Sequence, residues 1–311
     1  MRDRRPTLAT VRLAARRFGA DPDELRLVNA GVNTVYRAGG LALRLRHQHR
    51  NDRDYLDPPL AWLRHLHAAG AWVCGPVSAT DGAWIVELPE DDLTFLATAV
   101  RWVDGPRLSD LPPTPELYQE YGRSVGRLHR AGQGFQTPPG TPHMLEPGEP
   151  GVFPRWDWLW GRAARHAGGI PVLERAFERL TPQVLSWAAE ETAMTHGDLR
   201  PGNVIWNEGR AVIIDFDEPV LGPAALDLAR AGLELAAAER PSLLPTLMAG
   251  YRQQQPLDAR WDARLPALMA ARAALVTAWS LQDGQAVVSE SGSGGVVSAK
   301  RLLERLERWD F

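Results

Sequence analysis

Two neighbouring runs decide how this chain reads: Thr195-His-Gly-Asp-Leu-Arg-Pro-Gly-Asn-Val-Ile-Trp206 and Ala211-Val-Ile-Ile-Asp-Phe-Asp217, joined through Asn207-Glu-Gly209. Two apolar strands flank a short turn, and the polar groups gather where strands end. Asp198 and Asn203 fall on the loop, and Asp215 closes the second strand. Asp215 and Asp217 interrupt an apolar strand, which costs burial energy unless something pairs them. Two carboxylates and a carboxamide converging at strand ends offer hard oxygen ligands, a set that suits Mg²⁺.

The spacing is specific. A His-x-Asp, an Asn five residues after the Asp, and then apolar-apolar-Asp-Phe match the catalytic loop and metal-binding strand end of kinases. Phosphoryl transfer needs those parts: a base for the acceptor hydroxyl and two residues that hold Mg²⁺ on the nucleotide phosphates.

Around this island the chain falls into two parts. Thr7 to Phe18 has Leu8, Val11, Ala15 and Phe18 on one helical face, and Gly19 with Asp21-Pro22 ends the run. Leu25 to Ala30, Val35 to Ala38 and Leu41 to Arg46 are strand-like, with glycine between them, and predict a three-stranded antiparallel meander. Asp57-Pro58-Pro59 reads as a helix start with Asp57 as N-cap, and the helix runs to Ala69. Ala83 to Leu88 and Thr94 to Val103 predict two further strands.

Beyond Asp104-Gly105-Pro106 the pattern is helical: Glu116 to Ala131, Trp156 to His166, Val172 to Glu190, Ala224 to Glu239, Ser242 to Gln254, Trp261 to Ser280 and Ser298 to Trp309. The expected fold is α+β: a small antiparallel-sheet lobe over 1–103 and a larger, mainly helical lobe over 104–311.

Composition narrows the function. The 311 residues carry a formal charge of −3, so no strong field draws the chain to nucleic acid or an anionic membrane. Cys74 is the only cysteine, which excludes an intrachain disulfide and a cysteine zinc cage. The first residues, Met1 to Arg17, lack the apolar core of a signal peptide. Leu265 to Trp279 carries Arg272 and is too short to span a bilayer. A cytoplasmic protein, monomer or homodimer, is expected. Lys300 is the only lysine, so cationic chemistry elsewhere falls to arginine.

His196-Gly-Asp198-Leu-Arg-Pro-Gly-Asn203, Ile214-Asp215-Phe-Asp-Glu218 and Gly222-Pro-Ala-Ala-Leu-Asp227-Leu-Ala229 together resemble the aminoglycoside phosphotransferase/choline kinase family. The resemblance covers most of the chain and implies the two-lobed protein-kinase-like fold. It implies an enzyme that moves the γ-phosphate of ATP, or GTP, to a small-molecule hydroxyl with Mg²⁺. Asp198 then corresponds to the catalytic base, and Asn203 and Asp215 to the Mg²⁺ ligands. His196 and Asp227 correspond to residues that hold the loop, and Asp217 to a second metal ligand, an acceptor contact or a solvated turn carboxylate.

In the first lobe, Gly31-Val-Asn33-Thr34 resembles the phosphate-covering turn, and Arg101-Trp102-Val103 falls at the interlobe hinge. Gly31, Asn33, Thr34, Arg44, Arg101, Trp102 and Val103 are therefore the nucleotide-binding candidates. The expected acceptor is aminoglycoside-, choline- or homoserine-like.

Two departures stand out. Leu41-Ala-Leu-Arg44 overlies a strand that in kinases reads V-A-I-K, so Arg44 stands where a lysine is expected. Period-2 geometry puts Ala42 and Arg44 on one face, opposite Leu41, Leu43 and Leu45. The competing reading is a surface arginine on an edge strand. The helix expected from Pro58 to Ala69 contains no acid to pair that cation, the nearest being Asp54 and Asp57. These departures motivate a nucleotide-sensing pseudokinase as one alternative. A stress-response-type protein Ser/Thr kinase is the other, because the Asp-Phe-Asp-Glu and Asp-Leu runs are similar to theirs.

Weaker signals are Trp156, Trp158 and Trp160, a stacking wall or a helix rim, and the acids Glu146, Glu149, Asp157 and Glu218, which could face a cationic acceptor.

Overall fold

The computed structural model describes residues 5–30, 33–47, 52–138, 170–282 and 299–308. The chain divides into two compact units, Met1–Asp104 and Gly105–Phe311. Gly31, the tryptophans at 156, 158 and 160, Glu146, Glu149 and Asp157 lie outside the described residues.

In the first unit, helix α1 (Leu8–Arg17) starts on Thr7, whose hydroxyl accepts from the Thr10 backbone, and stops at Gly19, which takes φ +71. The meander forms as expected: β1 (Leu25–Ala30), β2 (Thr34–Ala38) and β3 (Leu41–His47) are antiparallel neighbours. β4 (Pro76–Val77), β5 (Val86–Glu90) and β6 (Leu93–Arg101) complete one sheet ordered β1-β2-β3-β6-β4, with β5 also on β6. Val11, Ala14, Ala15 and Phe18 of α1 pack with Leu41, Leu43 and Leu45 of β3 and Phe95 and Ala97 of β6. Leu8 instead remains exposed, because it sits in the opening turn before the helix meets the core.

Three expectations need correction here. Helix α2 (Asp52–Ala68) extends a turn and more upstream of the two prolines, so Pro58 and Pro59 are interior and exposed Asp57 is not its N-cap. The helix therefore does contain acids, Asp52, Asp54 and Asp57, all in its N-terminal half. β3 lies between β2 and β6, so Arg44 is not on an edge strand. The alternation itself holds: Leu41, Leu43 and Leu45 are buried while Ala42 and Arg44 are partly exposed on the other face.

The second unit is mainly helical: α3 (Pro115–Ala131), α4 (Pro171–Glu190), α5 (Ala225–Ala237), α6 (Leu244–Arg252), α7 (Arg260–Gln282) and α8 (Ala299–Arg308). Two two-stranded antiparallel sheets sit among them. β7 (Ala193–Thr195) pairs with β10 (Val220–Gly222), and β8 (Val204–Asn207) with β9 (Arg210–Ile213). Glu208 and Gly209 both take positive φ, 47 and 78, as a two-residue hairpin turn requires. α3 packs on α6 and β9, and α7 packs on α5 and α4. With the antiparallel sheet in the first unit and these helices in the second, the fold is the two-lobed protein-kinase-like one. No described helix is long and apolar enough to cross a membrane.

Candidate active site

The quoted stretch becomes a loop anchored at both ends. Thr195 closes β7 and its hydroxyl donates to the Val220 carbonyl at 2.8 Å. The chain then turns at Gly197, at φ +81, where a Cβ would stand 1.8 Å from the Glu218 carbonyl oxygen. Only glycine fits that approach.

Asp227, on α5 and fully buried, holds the turn from beneath. Its carboxylate accepts the backbone N–H of His196 at 2.8 Å and of Gly197 at 3.0 Å, and the ring Nε2–H of His129 at 2.9 Å. The other His129 nitrogen meets the Tyr251 hydroxyl at 3.0 Å. Burial pushes the Asp227 carboxyl up, but the His129 hydrogen bond, the two histidines and the His196 N–H outweigh it and hold it below the usual carboxylate range. Burial also raises the Tyr251 hydroxyl above its ordinary value, helped by Glu191 and Asp227, so it stays a neutral donor. The set is a closed buried network, which rigidifies what it touches.

His196 works from above. Its Nδ1 accepts the Asp198 backbone N–H at 3.3 Å, which leaves Nε2–H to donate to the Ile214 carbonyl at 2.9 Å. Its ring meets Phe216 edge-on, centroids 4.8 Å apart.

Asn203 ties the remaining pieces together. Its Nδ2 donates to the backbone carbonyl of Asp198 at 2.9 Å and to the Asp198 carboxylate at 3.1 Å, and its carbonyl accepts from Ile214 N–H at 2.9 Å. The Arg107 guanidinium donates to the neighbouring Gly202 carbonyl. Because Nδ2 is committed to Asp198, the Asn203 Oδ1 is the atom left to accept or ligate. Asp215 follows directly at φ +70, a left-handed backbone that an L-residue adopts at a cost.

Loop and strand end are thus held within one hydrogen-bonded frame, offering a carboxamide oxygen and carboxylate oxygens of the type Mg²⁺ prefers. Among the described residues no group of three or more His, Cys, Asp or Glu is gathered as a metal site, so the fit rests on the mixed carboxylate and carboxamide donors.

Asp198 itself is surrounded by cations. Arg230 Nε donates to its Oδ1 at 2.9 Å, Arg200 Nε to its Oδ2 at 3.2 Å, and Arg272 approaches Oδ1 at 3.5 Å. Burial pushes its carboxyl up, yet Arg230, Arg272 and Arg200 pull it well below the usual carboxylate range. It is ionised and can only accept hydrogen bonds.

The nucleotide candidates of the first unit fall into two groups. Thr34, buried at the start of β2, and Arg44 on β3 occupy adjacent strands, with Thr34 opposite Leu45 and Val35 opposite Arg44. Asn33 directly precedes β2. Arg101, Trp102 and Val103 follow one another at the end of β6: Trp102 N–H donates to the Gly40 carbonyl at 2.9 Å, and its indole N–H donates to Asp104 at 2.9 Å. The Arg37 guanidinium covers the Trp102 ring at 4.7 Å.

With this geometry in hand, the family match is decisive: the model of the phosphotransferase enzyme family aligns with residues 24–275. The chain belongs to that family. This phosphotransferase is an enzyme of the kinase type. Amicoumacin kinase of Bacillus subtilis (strain 168) is 23% identical over 284 residues, 85% of this chain and 81% of that one. Among solved structures, amicoumacin kinase hAmiN in complex with AMP-PNP, Ca²⁺ and Ami superposes with a TM-score of 0.79 at 19% identity, covering 98% of this chain and 94% of that one. A microcompartment-associated aminopropanol kinase gives 0.74 at 23% identity, over 97% and 95%.

Sequence reasoning missed the arginines. Arg200 lay inside the quoted motif with no role, and Arg272 served only as an argument against a membrane span. Arg230 follows Asp227 by three positions, so both lie on one face of α5. That spacing was the available signal.

Proposed function

We propose that this enzyme transfers the γ-phosphoryl group of ATP, or GTP, to a hydroxyl of a small molecule of the aminoglycoside-, choline- or homoserine-like class, with Mg²⁺. The observation that carries the reading is the Asn203 side chain bridging the Asp198 carbonyl and carboxylate at 2.9 and 3.1 Å while its backbone is bonded to Ile214, beside Asp215. Asp198 orients the acceptor hydroxyl and takes its proton as the oxygen–phosphorus bond forms; with a depressed carboxyl it acts late, as positioning more than as a strong base. Asn203 and Asp215 hold Mg²⁺, which when bound neutralises phosphate charge.

Backbone amides of Gly31, Asn33 and Thr34 cover the phosphates, Arg44 contacts them through its guanidinium fork, and Arg101, Trp102 and Val103 border the base. In this reading 1–103 is the nucleotide-covering lobe and 104–311 the catalytic and acceptor-binding lobe. The relatives named above are kinases named for small-molecule acceptors, and one was solved with a nucleotide analogue and a divalent cation, which supports the same reading. The enzyme works in the cytoplasm as a monomer or homodimer.

The test is purified chain with labelled ATP and Mg²⁺ against kanamycin, choline, homoserine and 3-aminopropanol, beside Asp198→Ala. Transfer in the wild type, lost in the variant with nucleotide affinity retained, is the expected result. Absence of nucleotide binding by calorimetry sinks the proposal. Autophosphorylation without small-molecule turnover replaces it with the protein-kinase reading.

A further inference from the structure

Three guanidiniums from three separate elements meet at the Asp198 carboxylate: Arg200 from its own loop, Arg230 from α5 and Arg272 from α7. Their environments differ. Arg230 is buried, and its Nη1 also donates to Glu234 at 2.6 Å, so it belongs to the scaffold. Arg200 and Arg272 keep 25% and 17% of their side chains exposed and reach Asp198 from its rim. Arg272 interrupts the apolar run Leu268-Met-Ala-Ala-Arg-Ala-Ala-Leu275. The Asp198 carboxylate meets that charge at 3.5 Å, which fixes the guanidinium beside the acceptor hydroxyl's place.

A small acceptor that brings its hydroxyl to Asp198 carries the rest of its atoms to within a few ångström of these cations. Beside three guanidiniums an ammonium is held less well than an anion, although Asp198 and Glu234 offset part of their charge. A carboxylate or phosphate is attracted, and it matches the planar guanidinium fork.

We infer that the acceptor is a small hydroxy compound bearing an anionic group, a carboxylate or a phosphate, which Arg272 and Arg200 hold while the hydroxyl lies on Asp198. The inference rests on the reading of Asp198 as the base and narrows it: of the three acceptor types, only the homoserine-like one carries a carboxylate. In the step itself, the acceptor oxygen bonds to the γ-phosphorus and the bridging β–γ oxygen–phosphorus bond breaks. The hydroxyl proton passes to Asp198, and the nucleoside diphosphate leaves.

The experiment uses the full chain with Mg²⁺-ATP and matched acceptor pairs. Homoserine and 3-aminopropanol differ by a carboxylate; glycerol 3-phosphate and glycerol differ by a phosphate. We expect kcat/KM for one anionic member to exceed that of its partner at least about tenfold. The pair that shows the difference tells carboxylate from phosphate. Arg272→Gln is expected to raise the acceptor KM by about the same factor with the nucleotide KM unchanged, and Arg272→Lys to recover part of the loss.

Equal or better turnover of the neutral and cationic members overturns the inference. So does an Arg272→Gln effect confined to kcat and equal for every acceptor, since that places the guanidinium on the transferring phosphoryl group. If none of the four compounds turns over, malonate and inorganic phosphate are titrated calorimetrically into the chain with AMP-PNP and Mg²⁺. Saturable binding weakened by Arg272→Gln supports the inference; no saturable binding overturns it. Failure of the parent reading looks different: AMP-PNP does not bind, or Asp198→Ala still transfers phosphate.

Discussion

At the scale of single residues, Gly197 sets how closely the Asp198 loop approaches the segment after β9. Its left-handed φ and the 1.8 Å approach of a hypothetical Cβ to the Glu218 carbonyl leave no room for any side chain. Gly197→Ala is expected to destabilise the protein by about 2–4 kcal/mol in urea titrations, through strain and overpacking together. It is also expected to lower phosphate transfer more than a hundredfold, because a small displacement of a catalytic group is costly.

Asp227 gives a second prediction at this scale. Its folded carboxyl sits below its unfolded value, so it stabilises the fold fully above ordinary carboxylate pKa, about 3.9, and that stabilisation fades as pH falls through the lower folded value. Thermal melts across acidic pH should therefore show Tm dropping below about pH 4. Asp227→Asn should lower Tm at neutral pH and flatten part of that acid slope.

At the scale of elements, the α3–α6 crossing depends on glycines on both helices. A Cβ on Gly122 would lie 2.0 Å from the Leu247 carbonyl oxygen, and one on Gly250 2.0 Å from that of Gln119. The backbones touch, and this contact holds His129 of α3 against Tyr251 of α6. Gly250→Ala must push the helices apart, at about 1–3 kcal/mol by denaturant unfolding. Because His129 supports Asp227, the same variant is expected to lose activity beyond the fraction that unfolds.

β3 carries the matching prediction for the first unit. Arg44 sits mid-sheet on the face opposite the core leucines. Arg44→Met should raise the KM for Mg²⁺-ATP about ten- to hundredfold in steady-state assays, the scale of a lost charge-assisted contact, with kcat for the acceptor less affected.

At the scale of the whole molecule, ligand binding to the folded state alone raises stability by mass action. AMP-PNP with Mg²⁺ at about a hundred times Kd should add about 2.7 kcal/mol, a Tm rise of roughly 4 °C by calorimetry. EDTA should remove most of that rise, since the phosphates then lose the cation that Asn203 and Asp215 are proposed to hold.

Much of this molecule is legible in its sequence. The β1–β3 meander, the β8–β9 hairpin and its turn, and the order Asp198, Asn203, Asp215 follow from alternation, turn residues and spacing, which are local properties of covalent geometry. The start of α2 is not legible, because proline marks a tolerated first turn and also occurs inside a helix; only the fold of the preceding residues separates the two cases. What the tertiary structure alone decided is the surroundings of Asp198. The three-residue spacing from Asp227 puts Arg230 on the loop-bearing face of α5, but no local pattern records that helix packing brings its guanidinium and that of Arg272 to one carboxylate. Spacing along the chain specifies which groups share a loop, whereas the charge those groups meet is set by close packing of helices distant in sequence.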